Sequence, residues 1–158
     1  MTTMTNQPAH RDRRLLPPVY FLLAILMMVG LHVGLPVAHW LPWPSNLAGT
    51  LLIVVGLAMV VIADYQFKRH GTTVKPFQRS SVLVTDGMFR YSRNPMYLGM
   101  VVALVGLAVA FASVSPLLVV PVFAWRLTVR FIGAEETALA AQFGGAYLEY
   151  KRAVRRWL

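Results

Sequence analysis

The chain has 158 residues, 57% of them apolar and only 13% charged, with a mean hydropathy of +0.58. A soluble domain carries about 45–50% apolar and about 25% charged residues, so this composition excludes a water-coated globule, and its apolar content excludes intrinsic disorder. Fifteen Lys and Arg against six Asp and Glu give a formal charge of +9, which the hydropathy assigns to anionic lipid rather than to nucleic acid, and the absence of Cys excludes disulfide scaffolds, thiol catalysis and Cys-ligated metal centres.

In chain order, residues 1–14 read as a flexible cytoplasmic tail that carries Arg11, Arg13 and Arg14. Residues 17–37 form an uncharged apolar run, long for the core of a signal peptide and followed by no small-x-small cleavage pattern, so they predict a first membrane span. An aromatic, proline-rich connection follows at 39–44, then a second uncharged run at 46–63. That second helix is expected to continue through Asp64 to His70 and to stop at Gly71, with basic residues in its last turn. Residues 72–94 hold Pro76, Asp86-Gly87 and Asn94-Pro95 and read as an ordered loop, in which Ser81–Thr85 would make only an unpaired strand.

A third run occupies 96–112 and a fourth extends from the turn Ser113-Val114-Ser115-Pro116 to Phe131, together predicting a helical hairpin. In the tail, Leu139, Phe143, Tyr147, Tyr150, Val154 and Trp157 recur every three or four residues, the pattern of an amphipathic helix with a kink or break at Gly144-Gly145. With its basic residues and Trp, such a helix suits the lipid interface, where it could serve as no more than an anchor. The expected fold is therefore all-α, one polytopic membrane domain over 1–158 with four transmembrane helices and a C-terminal amphipathic cytoplasmic helix. Lys and Arg crowd the tail before the first span, the 64–94 stretch and the last segment, and they are absent from 38–45 and 113–115. The positive-inside rule then puts both termini in the cytoplasm, in the inner membrane if the cell is bacterial.

Candidate chemistry lies on that same side. Asn94 is a preferred N-cap and Pro95 suits the first helical position, so the third helix presents its free N–H groups beside Arg93, a ready anion site; simple capping would explain the pair equally well. Arg126 and Arg130 lie one turn apart on one helix face. Counted from Ser113, Arg126 is about 20 Å down the helix, still inside a hydrocarbon core of about 30 Å. Such an arginine lines a cavity, finds a partner or snorkels to the interface. Glu135-Glu136 follow within two turns; they suit a solvated helix start or the binding of a cation or sugar hydroxyl. The four His residues show no metal-binding spacing, and no nucleotide-binding glycine motif is present.

The segment Gly-Met-Phe-Arg-Tyr-Ser-Arg-Asn-Pro-Met-Tyr-Leu-Gly (87–99), the hairpin, Glu135-Glu136 and the Phe143-Gly144, Tyr147, Tyr150, Val154, Trp157 series together resemble the integral membrane methyltransferases. That superfamily includes isoprenylcysteine carboxyl methyltransferase and phosphatidylethanolamine N-methyltransferase. The resemblance covers about residues 70–158, the expected methyltransferase-like core. It implies S-adenosyl-L-methionine as cofactor, a lipophilic or lipidated acceptor drawn from the membrane lipid, and no metal. It also implies that Tyr91, Arg93, Asn94, Tyr97, Leu98, Gly99 and Glu136 bind the cofactor, and that Glu135 faces the acceptor together with Arg130. One departure is visible: the carboxyl methyltransferases carry Arg-His-Pro where this chain has Arg93-Asn94-Pro95, and Asn there also occurs in sterol-reductase relatives. An NADPH-dependent sterol-type reductase and a non-catalytic membrane scaffold therefore stand as alternatives, although such reductases are longer and have more spans.

Overall fold

The structure is a computed structural model that describes residues 16–35, 37, 44, 46–71 and 82–158. The expected flexible tail, most of the aromatic 39–44 connection, and Lys75, Pro76, Arg79 and Ser81 lie outside those residues. Among the described residues every regular element is helical, and no strand forms at 82–85.

Helix α1 (Pro17–Gly34) starts on a proline at its first turn, where no N–H is needed. Helix α2 (Leu47–Arg69) carries Lys68 and Arg69 in its last turn, and Gly71 follows at φ 65°, the left-handed conformation expected of the residue that stops it. A 3₁₀ turn (Gly87–Arg90) leads to α3 (Pro95–Phe111). After the turn at Ala112-Ser113, α4 (Val114–Leu117), α5 (Val119–Leu127), a π-helical turn (Thr128–Ile132) and α6 (Gly133–Phe143) follow one another as a single 30-residue helical run, Val114–Phe143. Helix α7 (Gly145–Ala153) completes the chain's regular structure. Three helices, Pro17–Gly34, Leu47–Arg69 and Val114–Phe143, are long and apolar enough to cross a membrane; Pro95–Phe111 is apolar but shorter, at 17 residues.

Two expectations about the last third are corrected. The fourth apolar segment does not end at Phe131: the helix begins at Val114 and runs on to Phe143, so Glu135 and Glu136 sit on it rather than at the start of a separate tail helix. A helix does not stop where the hydrocarbon stops, because its hydrogen bonds are internal. The tail helix is also shorter than its apolar pattern suggests. Gly144, at φ 53° and ψ −123°, separates α6 from α7, and the chain leaves α7 at Val154 in extended geometry. The residues at 154–157 that continue the periodic pattern are thus not helical.

Helix α3 is the centre of the bundle, burying nine residues from Pro95 to Ala108. Against α1 and α5 it packs a dry core around Met28, Leu104, Phe123 and Leu127. Against α2 it packs backbone to backbone. Gly49 and Gly56 on α2 face Gly106 and Gly99 on α3, both pairs seven residues apart on antiparallel helices. A Cβ on Gly56 would come within 2.5 Å of Ala103 N and Gly99 O, and one on Gly106 within 2.7 Å of Gly49 O. Small residues let the two backbones touch, which in lipid supplies the dispersion contact that drives helix association.

At the other side of α3 the hairpin turn is tied to α1. Ala112 takes the left-handed conformation (φ 50°, ψ 29°) to reverse the chain. Ser115 Oγ then donates to the carbonyl of Leu35 at 2.7 Å, using an acceptor that the end of α1 leaves open.

Candidate active site

The start of α3 is held by the non-helical residues 155–156. Arg93 N–H donates to the Arg155 carbonyl at 3.0 Å. Asn94 Nδ2 donates to the Arg156 carbonyl at 3.0 Å, and Ser92 Oγ donates to the same carbonyl at 3.3 Å. Asn94 N–H in turn donates to Ser92 Oγ at 3.1 Å. Asn94 does occupy the N-cap position and Pro95 the first turn, but the Asn94 side chain makes no cap hydrogen bond to α3. The expected capping is corrected: the non-helical segment alongside offers carbonyls free of any helix, and the amide is spent on one of them.

That docking brings cations onto Glu136. Arg156 grips its carboxylate with two bonds, Nε to Oε1 at 2.9 Å and Nη2 to Oε2 at 2.8 Å, the two-pronged geometry in which guanidinium binds carboxylate best. Arg93 Nη2 lies 3.3 Å from Oε1 and Lys151 Nζ 3.8 Å from Oε2. Both Glu136 and Arg93 are nearly buried, with side chains 10% and 9% exposed. Arg93 also reaches the Tyr147 hydroxyl at 3.5 Å, and Tyr150 Oη donates to the Phe89 carbonyl at 2.8 Å. The Glu136 hydrogen bond holds the Arg156 guanidinium above its ordinary pKa. Burial pushes the Tyr147 and Tyr150 phenols up, so both stay protonated.

Glu135 points elsewhere, as adjacent helical residues must. Its Oε1 accepts a 2.7 Å hydrogen bond from the Tyr97 hydroxyl, which is itself buried under Phe131.

Of the residues singled out from sequence, the fold brings together Arg93, Asn94, Tyr97, Glu135 and Glu136. Tyr91 is 76% exposed and stands outside the cluster. Arg130, in the π-helical turn, is exposed and makes no ion pair with Glu135. Leu98 is buried, and Gly99 is spent on the contact with α2, where its missing Cβ is what Gly56 needs. Ser92, Lys151 and Arg156 belong to the cluster without having been singled out, and Tyr147, read from sequence only as part of the tail's apolar face and of the family-like series, joins them. One signal could have found them: with fifteen bases for six acids, a buried acid collects several cations.

The cluster is over-supplied with positive charge, three cations around one carboxylate, and Arg93 Nε is buried with no hydrogen-bond partner. An orphan N–H on a buried guanidinium fits an incoming anionic group such as an amino-acid carboxylate. Glu135, which accepts the Tyr97 hydrogen bond on Oε1, keeps acceptor capacity for an ammonium or a hydroxyl.

Comparison with known proteins bears on what such a cluster serves. The chain is 31% identical over 144 residues to protein-S-isoprenylcysteine O-methyltransferase A of Arabidopsis thaliana, covering 89% of this chain and 68% of that one. It is 31% identical over 114 residues to the enzyme of the same name from Xenopus laevis, covering 66% of this chain but only 40% of that one. The fold is shared with a solved structure of the eukaryotic intramembrane Ras methyltransferase ICMT, at TM-score 0.63 and 18% identity over 89% of this chain; the chain spans about half, 51%, of that protein. The model of the phospholipid methyltransferase family matches residues 45–146, from the start of α2 to the start of α7. That stretch holds Arg93, Tyr97, Glu135 and Glu136, and the chain belongs to the phospholipid methyltransferase family of membrane methyltransferases.

Proposed function

We propose that this protein transfers a methyl group from S-adenosyl-L-methionine to a lipophilic acceptor at the cytoplasmic edge of the membrane. The match of the family across 45–146 carries the reading. Helix α3 counts in it as the fourth span. At about 1.5 Å per residue its 17 residues reach about 26 Å, close to one hydrocarbon core. Both termini and the polar cluster then lie on the cytoplasmic side, where the Lys and Arg are.

Arg93 receives the cofactor's carboxylate on its orphan Nε, beside Asn94 and the first turn of α3. Glu136 holds that guanidinium in place and is itself fixed by the two bonds from Arg156. Glu135 serves the cofactor's ammonium or ribose on one side and faces the acceptor on the other. S-Adenosylmethionine, when bound, supplies a methyl group on a sulfonium and leaves as a neutral thioether. The chain's own task is alignment and exclusion of water.

The Tyr97–Glu135 bond favours a carboxylate acceptor over an amine. An amine must lose a proton to a base, and Glu135, the carboxylate that could take it, already shares its Oε1 with the Tyr97 hydroxyl at 2.7 Å. A carboxylate acceptor needs no base. The carboxylate of an isoprenylated or lipid-like molecule is thus the first choice, and a phospholipid amine the second.

The test is binding followed by turnover. Purified protein in detergent is titrated calorimetrically with S-adenosylhomocysteine and with NADP. The first alone should bind; NADP binding would favour the reductase, and binding of neither would favour a scaffold. Labelled S-adenosylmethionine is then offered with an S-farnesylated cysteine or with phosphatidylethanolamine, and label should enter the first as an ester. For topology, a reporter active only outside the cytoplasm, fused after Leu158, should stay silent.

A further inference from the structure

We propose that Arg126 and Arg130 form a docking site for the phosphate group of a membrane lipid on the open flank of the Val114–Phe143 helix. The inference rests on the chain lying in a membrane and not on methyl transfer.

Exposure along that helix recurs in adjacent pairs, 121–122, 125–126 and 129–130. The α-helical period is 3.6 residues and the π turn at Thr128–Ile132 is wider, so a four-residue step falls close to one full turn. Arg126 and Arg130 therefore stand one above the other, about 6 Å apart along the axis. Apolar Val122, Trp125 and Val129, each more than half exposed, share the stripe.

Neither arginine makes an ion pair among the described residues; Arg126 has only the ring of its neighbour Trp125, 5.9 Å from the guanidinium carbon. Arg126 lies ten residues before Glu136, about 15 Å along the helix from the polar cluster and well inside the hydrocarbon. Snorkelling toward that cluster is awkward, because helical side chains tilt toward the N-terminus, here away from the polar end. A charge in that position calls for an anion that comes to it.

The choice of occupant follows from what the stripe offers and what the chain lacks. A second copy of this chain is short of acids to bring to a membrane-embedded stripe: among the described residues Glu135 and Glu136 sit in the cluster, Asp64 pairs with Lys68, Asp86 with His70, and the exposed Glu149 lies on α7, beyond the apolar helices. A lipid has both required parts, acyl chains for Val122 and Val129 and an anion for the guanidiniums. Two stacked guanidiniums carry more donors than one carboxylate can use, and the several oxygens of a phosphate match them better.

The test is native mass spectrometry of the full chain in a neutral detergent, titrated with phosphatidylglycerol, with diacylglycerol of the same acyl chains, or with oleate. One phosphatidylglycerol should be retained at high occupancy, and its affinity should fall at least about tenfold in Arg126→Gln/Arg130→Gln, the loss of two charge-assisted contacts. The doubly substituted Arg126→Lys/Arg130→Lys should keep part of it. Arg152→Gln/Arg155→Gln, exposed arginines outside the stripe, should change nothing. Unchanged affinity in the double Gln variant at an unchanged thermal midpoint overturns the proposal. So does equal retention of diacylglycerol, which marks acyl contact alone, or of oleate, which marks a general anion site. A shift to twice the chain mass that the Gln variants abolish assigns the stripe to self-association instead. S-Adenosylhomocysteine binding, followed in parallel, reports separately on the methyltransferase reading.

Discussion

Replacing Glu136 with Gln removes one charge from the cluster and leaves its volume unchanged. Arg156 and Lys151, 39% and 46% exposed, keep access to water, so their loss of a partner counts for little. Arg93 is different: at 9% exposure and 3.3 Å from Glu136 it becomes a buried cation without a counter-charge. Breaking a buried pair on one side costs about 3–5 kcal/mol. The remaining 3.5 Å contact to Tyr147 and the surviving amide oxygen of Gln put the expected loss near the lower end, about 3 kcal/mol. Reversible unfolding in mixed micelles, titrated with a denaturing detergent and followed by circular dichroism, measures it. The double variant Arg93→Gln/Glu136→Gln should recover at least about 1 kcal/mol, because neither charge is then left alone. A Glu136→Gln protein within about 0.5 kcal/mol of wild type, or a cycle with no coupling, would refute the view of Glu136 as the anion that neutralises Arg93.

Two further outcomes follow from the packing and the site. Gly56→Ala puts a methyl group 2.5 Å from the α3 backbone and must part the helices by about 1 Å, costing about 1–3 kcal/mol in the same titration. Gly30→Ala on α1, with nothing within 4 Å, should be neutral or slightly stabilising, and equal effects at the two glycines would argue against the tight α2–α3 seam. Tyr97→Phe leaves the Glu135 carboxylate short of its donor, and turnover should fall roughly 10- to 100-fold, the weight of one hydrogen bond to a charge. A Tyr97→Phe protein with wild-type turnover would take that pair out of the reaction.

The apolar runs, the stop at Gly71 and the start of α3 at Asn94-Pro95 were legible because each depends on a few neighbouring residues: hydropathy summed over one segment, a glycine at positive φ, a proline in the first turn. The divergence of Glu135 from Glu136 was legible for the same reason, since helix geometry alone dictates it. Their partners were not. Arg156 and Tyr97 reach the pair from 20 and 38 positions away, and local periodicity says nothing about which distant segment folds back. The tail misled for a related reason: Val154 and Trp157 continue an apolar repeat of three and four, yet that stretch leaves the helix and its carbonyls bond to the start of α3. The α2–α3 seam is a missed signal rather than a hidden one. Gly49 and Gly56, and Gly99 and Gly106, stand seven apart in the chain, and small residues at helical spacing in apolar segments mark close helix contact.

The bonds between residues 92–94 and residues 155–156 join positions 62 to 64 apart. They impose an order on assembly. Helices α2 and α3 can enter the bilayer and close their glycine seam as soon as both have been synthesised, since every group in that seam lies before residue 112. Arg93 cannot acquire its buried setting until the chain has completed the Val114–Phe143 helix, turned at Gly144 and laid residues 155–156 back along the start of α3. Insertion and competence are thus separate events: a nascent chain arrested after α5 would be a stable guest in the membrane with its cation cluster still open to water.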